Sequence, residues 1–364
     1  MSASGTPRKR ARLDGPADDE PPQSPQPDAN PEEPMANDGS AAEYTRDAEF
    51  WLEDGTVILV AGDVEFRVYS GLLAKHSPRL KELFSDTQCT RTLLVDGRSE
   101  ISCPVVCLTD SPDDLRHLLR AYMPQDASNI YEYEYPSFDA VSASIRLGHK
   151  YQIMSLYDRS LEFLRENFPD DFDTYDKLNQ WVPTGWAIDD AIGVVNLARL
   201  IGETTLLPTA LLACTTLGEQ IVRGYQRQNG MQEHLTIDDQ ALCIKAKIEI
   251  RKARVATLFR VLCPAPAKTC KNSSGCRTTL RKAVYNLHST IDDWLGDTGD
   301  PFTGYKTYIK GGKLDVCEVC LPMVEATSVA ERRKLWNRLP LLLGIQVPGW
   351  GVPPPAPQSA PVQS

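Results

Sequence analysis

The sequence predicts an α+β protein in which strands come first and a mainly helical region follows. Three observations carry that reading. Val57-Ile58-Leu59-Val60 is a short apolar run, Ala61-Gly62-Asp63 tolerates a tight reversal, and Val64, Phe66 and Val68 then alternate with Glu65 and Arg67. That pattern is a hairpin of one fully apolar strand and one with a single apolar face. Directly after it the period changes: Ser70 opens a turn carrying Leu72, Leu73 and Ala74, and Ser77-Pro78 opens another carrying Leu80, Leu83 and Phe84. A polar cap followed by proline at the first helical position is a helix start. Finally, residues 170–262 repeat apolar side chains at helical spacing.

Bulk properties narrow the functional class. A chain of 364 residues suggests about two or three domains. Its hydrophobic share of 41% and charged share of 24% are those of a globular protein. A formal charge of −10 argues against broad electrostatic adhesion to nucleic acid or to an anionic membrane. No run approaches the ~18 apolar residues of a membrane helix, and the N-terminus has no signal-peptide core, so no membrane partner is expected. In an intracellular setting the ten cysteines are expected to stay reduced.

Taken in order, residues 1–43 are rich in Pro, Ala, Ser and acids and nearly lack large apolar side chains. They cannot bury enough surface to offset the entropy of ordering and read as a disordered tail. Arg8, Lys9, Arg10 and Arg12 form a dense basic cluster, followed by nine acidic residues that carry the tail to half the chain's net charge. The cluster is similar to a nuclear localisation signal read by an importin. The expected locations are therefore the nucleus and, besides it, the cytoplasm. The acids behind the cluster would repel phosphates, so direct contact with nucleic acid is not expected.

Residues 44–168 read as one domain. After the hairpin, Thr92–Val95 and Pro104–Leu108 are strand patterns, with a polar loop expected over residues 96–103. Ser111-Pro112-Asp113-Asp114 starts a helix whose apolar face is Leu115, Leu118, Leu119 and Tyr122. Residues 124–136 read as a loop. Ser137 caps a helix with Phe138, Val141 and Ile145 on one face, which Gly148 is expected to end, and Ile153–Phe168 forms the next.

The stretch Phe66, Val68, Tyr69, Ser70, Leu72, Leu73, Ala74, Lys75, His76, Ser77, Pro78, Leu80, Leu83 and Phe84 resembles the signature of the BTB/POZ domain, most closely as found in mushroom-type fungi. The key positions are Phe66, Val68, Leu72, Leu73, Ser77, Leu83 and Phe84. Many BTB domains have His where this chain has Tyr69. The segment Leu147-Gly148-His149-Lys150-Tyr151 and the leucine-spaced helix after it resemble the later part of the same domain, in the same order. The resemblance implies a small sheet capped by helices, self-association as a homodimer, and recruitment of a cullin ubiquitin ligase or a transcriptional corepressor. Some cullin receptors carry an apolar-x-Glu motif after this signature; Ser85–Thr92 contains none.

Residues 169–262 read as a helical extension, with Ala187–Ile201, Leu206–Leu217 and 236–262 as its helices. The last has Leu242, Ala246, Ile250, Ala253, Thr257 and Phe259 as its expected apolar face, and Lys245, Lys247, Arg251, Lys252 and Arg254 on the other. That basic face reads as solvated, or alternatively as a contact for an acidic partner. In the region 263–350, Leu280, Val284, Leu287, Ile291 and Leu295 space out a helix, and Ser328-Val329-Ala330-Glu331 fits a capping box opening another. Leu339–Gly344 and Trp350 resemble the ending of the fungal proteins. Residues 351–364 read as a disordered tail.

The cysteines of this last region are the one constellation with chemical content. Cys270 and Cys276, with Cys317-Glu318-Val319-Cys320, would make a C-x5-C…C-x2-C set able to hold a structural zinc. The first spacing is wider than the usual two to four. Cys263 and His288 are spare candidates, and Lys268, Lys271 and Arg277 flank the first pair. The alternatives are unconnected thiols and a redox CxxC. Four thiolates leave no open position, so the site would be structural and not catalytic. No GxSxG, HExxH or phosphate loop is present, and no enzyme activity is expected. The reading is a protein-binding adaptor, with a nuclear transcriptional regulator or corepressor-recruiting factor as the alternative and a CxxC enzyme behind both.

Overall fold

In the computed structural model of the protein, residues 44–95, 99–123, 135–263, 265–287 and 299–351 are described. The 1–43 tail with Arg8, Lys9, Arg10 and Arg12, most of the expected 124–136 loop, His288, the far end of the 280–295 helix and residues 352–364 lie outside them. Within them the fold is mixed α and β, with a small mixed sheet and thirteen α-helices.

The hairpin forms as the alternation demands. Strand β2 (Val57–Ala61) and strand β3 (Val64–Val68) run antiparallel in register from Val57↔Val68 to Ala61↔Val64, with Gly62 in the left-handed conformation at the turn. Every residue of β2 is buried because the strand is central and covered on both sides. Val57, Leu59 and Ala61 face one apolar cluster with Phe66, Val68, Leu73, Leu80, Leu115, Leu118 and Leu119. Ile58 and Val60 face another with Cys103 and Val105. Opposite faces for alternate residues follow from the pleat.

Strand β1 (Thr45–Trp51), strand β4 (Thr90–Val95) and strand β5 (Ser99–Leu108) complete the sheet in the order β1-β3-β2-β5-β4. β1 and β3 are parallel, as are β2 and β5, while β4 and β5 are antiparallel. Two sequence expectations are corrected here. The expected loop at 96–103 is replaced from Ser99 onward by the first half of β5, where Ile101 is 43% exposed and so gives no burial period. β1 was not expected, because among its residues only Phe50 is a deeply buried apolar side chain.

Helices α1 (Ser70–His76) and α2 (Pro78–Asp86) follow the hairpin. Ser70 is the first residue of α1 and does not cap it; its hydroxyl pairs with that of Thr56 instead. Ser77 does cap α2, accepting from the Leu80 N–H at 2.9 Å, and also donates to the Tyr151 carbonyl at 2.6 Å. Helix α3 (Pro112–Tyr122) is capped by Ser111, and helix α4 (Phe138–Tyr151) by Ser137. α4 does not end at Gly148 but runs to Tyr151 and closes on Gln152 in the left-handed conformation. Gly148 has a packing role: an added Cβ would sit 3.1 Å from Tyr157 on helix α5 (Met154–Asn167).

Beyond α5 come α6 (Phe172–Tyr175), α7 (Asp190–Ile201), a 3-10 turn at Thr204–Leu206, α8 (Leu207–Cys214) and α9 (Gln220–Arg223). A short ribbon of β6 (Tyr225–Gln226) and β7 (Gln232–Glu233) leads to the long helix α10 (Ile237–Leu262). Then follow α11 (Ser273–Asn286), a 3-10 turn at Tyr305–Tyr308, α12 (Cys320–Asn337) and α13 (Leu339–Leu343). The expected 206–217 helix is divided between the 3-10 turn and α8. The capping box at Ser328 is not a helix start: α12 begins at Cys320, and Ser328 is buried within it. On α10 the buried side differs from expectation, for Phe259 is 42% exposed whereas Arg254 is 4% exposed. Arg254 is held inside by the Gly299 carbonyl and the Tyr308 hydroxyl.

One core cluster runs across the segment borders read from the sequence. It joins Phe138 and Val141 of α4 and Leu164 of α5 to most of α7 and α8, to Cys243, Ala246 and Ile250 of α10, and to Trp336, Leu339 and Leu343. Trp336 stacks on Trp350 at 4.9 Å and meets Tyr175 and Phe302 at 4.8 and 5.2 Å. The Leu339–Trp350 ending is thus part of the core. The β6–β7 ribbon is tied down by Arg227, which donates to Asp139 at 2.8 Å and to Asp114 at 2.7 Å.

Candidate metal centre

Four of the ten cysteines converge. The sulfurs of Cys270, Cys276, Cys317 and Cys320 all lie within 4.8 Å of one another. Cys270 Sγ is 3.7 Å from Cys276 Sγ and 3.6 Å from Cys317 Sγ. Tetrahedral coordination with metal–sulfur bonds of about 2.3 Å sets sulfurs about 3.8 Å apart. The spacing of the thiols therefore suits one small divalent ion.

Two helix starts build this arrangement. Asn272 caps α11 by accepting from the Gly275 N–H at 3.2 Å. Cys270 lies just before that cap and Cys276 within the first turns of the helix. The wide C-x5-C spacing thus spans a capping turn and brings both sulfurs to one end of α11. Cys317 accepts at its carbonyl from the N–H groups of Cys320 and Leu321, both at 3.0 Å, which folds the CxxC into the entry of α12. Helix N-termini carry partial positive charge and favour thiolates.

Backbone donors add to that field. The Cys317 N–H points to Cys276 Sγ and the Ala267 N–H to Cys320 Sγ, each at 3.4 Å. The N–H groups of Cys320 and Val319 draw the Cys317 thiol down to about 7, whereas burial pushes Cys320 up to about 12. A divalent cation held by these sulfurs would reverse the second effect, since a coordinating thiol is deprotonated. Lys268, Lys271 and Arg277 are exposed side chains. The observed support for the sulfurs comes from amide groups, which a reading by residue type passes over. The Asn272 cap was the available sequence signal.

A small apolar cluster lies among the same helices. Leu258, Val261 and Leu262 of α10, Leu280 and Ala283 of α11, Tyr305, Tyr308, Leu314 and Val324 of α12 pack there. Cys263 is exposed and is not in the four-sulfur group, and His288 lies outside the described residues. Cys103, Cys214 and Cys243 are buried elsewhere. Of the signature positions, Phe66, Val68, Leu73 and Ser77 are buried, Leu83 and Phe84 are half-buried, and Leu72 is exposed.

No protein-family model matches the chain, and no curated protein matches it.

Proposed function

We propose that this protein is a binding adaptor of the BTB/POZ type whose C-terminal region is held by a structural zinc ion. The observation that carries the adaptor reading is the Ser77 hydroxyl bridge. It joins the two stretches that resemble the family, the Phe66–Phe84 signature and the Leu147–Tyr151 segment, by one buried hydrogen bond of 2.6 Å. The resemblance in two separate places thus corresponds to one packed unit. The mixed sheet β1-β3-β2-β5-β4 with helices on it is compatible with the sheet-and-helix fold that the resemblance implies. The family habit of self-association is carried over to this chain as a homodimer.

Zinc is the metal that the donor set favours. Four thiolates are soft ligands, and sulfur-only tetrahedral sites select zinc or iron–sulfur centres over magnesium or calcium. Cys270, Cys276, Cys317 and Cys320 would hold the ion and fill its coordination shell. What the ion supplies is a cross-link between the starts of α11 and α12. The chain's own contribution is to orient the sulfurs through the Asn272 cap, the Cys317 turn and the Ala267 and Cys317 amides.

The basic cluster Arg8, Lys9, Arg10 and Arg12 favours a nuclear site of action, read by an importin, and with it corepressor recruitment as the second reading. Affinity capture with the full chain from nuclear extract separates the partners. Recovery of a cullin supports ligase recruitment despite the lack of an apolar-x-Glu motif. Recovery of corepressor subunits supports the second reading. A chain that stays monomeric at all concentrations and captures neither contradicts the adaptor proposal.

A further inference from the structure

Between Glu249 and Asp292 the sequence carries nine lysines and arginines and no acid, in a chain whose net charge is −10. Part of that local excess is engaged: Lys252 pairs with Glu249, Arg260 pairs with Glu331, Arg254 is buried, and Arg251 has a partner as well. Lys268, Lys271, Arg277, Arg281 and Lys282 remain. All five are exposed, and among the described residues no hydrogen bond or ion pair holds any of them. On α11 the buried side is formed by Cys276, Leu280 and Ala283. Helical geometry turns Arg277, Arg281 and Lys282 away from it, together with Thr278 and Tyr285. Tyr285 is 81% exposed and stands one turn beyond Arg281. Lys282 and the exposed Lys313 line one cleft, with Asp315 as an acid beside them. Lys268 and Lys271 sit next to Cys270 and can offset the charge of thiolates. Arg281 and Lys282 lie more than a turn beyond Cys276 and on another side of the helix, so the sulfurs do not account for them.

We propose that the outward face of α11 binds single-stranded nucleic acid. A row of cations tracks a phosphodiester backbone, and an exposed aromatic ring beside it takes a base by stacking. Arg277, Arg281 and Tyr285 follow at intervals of four, about 6 Å apart along the axis, so a strand laid along the helix meets charge, charge and ring in turn. Other anionic partners fit this face less well. Docking an acidic amphipathic helix or entering a lipid surface needs a broad apolar face, and Tyr285 is the one large exposed apolar side chain of α11. The net charge that argued against nucleic acid is a sum over the whole chain, and half of it comes from residues 1–43. The surface goes beyond the adaptor reading and needs neither the partner nor the homodimer of that reading.

The test uses the full chain and fluorescein-labelled single strands of about 16 nucleotides, oligo-dT and oligo-U, with anisotropy read across a salt series. Saturable binding of either strand supports the proposal, and the tighter of the two names the sugar. Log affinity should fall with log salt at a slope of about −2 to −3. A duplex of the same length should bind more weakly, because its bases are already stacked on one another. Arg281→Ala/Lys282→Ala should weaken binding by about tenfold or more at low salt and make the slope shallower by about one. Tyr285→Ser should weaken binding by about fivefold or more and leave the slope unchanged, which a purely electrostatic surface would not show. Because these side chains are exposed, both variants should keep the circular dichroism spectrum and melting temperature of the parent. Absence of binding at low salt or a preference for the duplex would overturn the proposal. So would binding untouched by both variants, which would assign it to the Arg8–Arg12 cluster. Equal displacement of the strand by poly-glutamate at matched charge would overturn it in favour of an acidic protein.

Discussion

Arg227 donates to Asp139 and Asp114 while only 5% of it remains exposed, and both carboxylates are themselves buried. Breaking a buried ion pair from one side leaves charge without compensation, at a cost of about 3–5 kcal/mol. Arg227→Met should therefore lower the urea midpoint strongly, and adding Asp114→Asn and Asp139→Asn to it should recover part of the loss. If Arg227→Met unfolds at the parent's midpoint, the triad is not a fastening of the β6–β7 ribbon. Asp190 gives a residue-scale dependence on pH. Burial, opposed by the Ala187 N–H and aided by Asp189 and Asp139, pushes its carboxyl up to about 6. An unfolded Asp titrates near ~3.9, so the folded state holds this proton more tightly. Its favourable contribution is present at low pH and fades as pH rises from about 4 through about 6. Asp190→Asn, which can still accept from the Ala187 N–H, should flatten the fall in stability across that window. An unchanged slope in denaturation series at several pH values would contradict this.

At the scale of elements, Ser77 serves both as the cap of α2 and as the link to α4. Ser77→Ala removes the cap and leaves the Tyr151 carbonyl without that donor, so a loss of about 1–2 kcal/mol is expected in chemical denaturation. The metal centre predicts a regional response. Stripping metal with a strong chelator should speed amide hydrogen exchange in α11 and the first turns of α12 and leave β2 and β3 protected. Cys276→Ser should reproduce the effect without chelator. Equal exchange before and after chelation would remove the cross-link from the account. These elements also show what was legible in the sequence. The β2–β3 hairpin announced itself by its period, α2 and α3 by period and cap together, and α10 by its extent, though part of its buried face was misassigned. β1 and the start of β5 did not: β1 is an edge strand with few buried side chains, and Ile101 of β5 is exposed, so neither shows a clear alternation. The beginning of α12 was misplaced because Ser328 has the chemistry of a cap while sitting in a buried helix interior. The four cysteines could be listed from spacing, but their convergence depends on how α11 and α12 pack on the end of α10, which no local pattern encodes.

For the whole molecule, one core extends from α4 through α13 to Trp350, so the last helices of the expected first domain share an interior with the rear of the chain. Truncation after residue 168, where the sequence suggests a border, would expose Phe138, Val141, Leu161 and Leu164. Such a fragment should aggregate or dimerise non-specifically, and static light scattering of it beside the full chain checks this. The proposed protein is a self-associating adaptor with one structural zinc per chain. Native mass spectrometry of the purified full-length protein, whose chain mass is 40.4 kDa, reads both properties at once. A dimer carrying one zinc ion for each chain is the predicted result. A metal-free monomer at every concentration tested would contradict it.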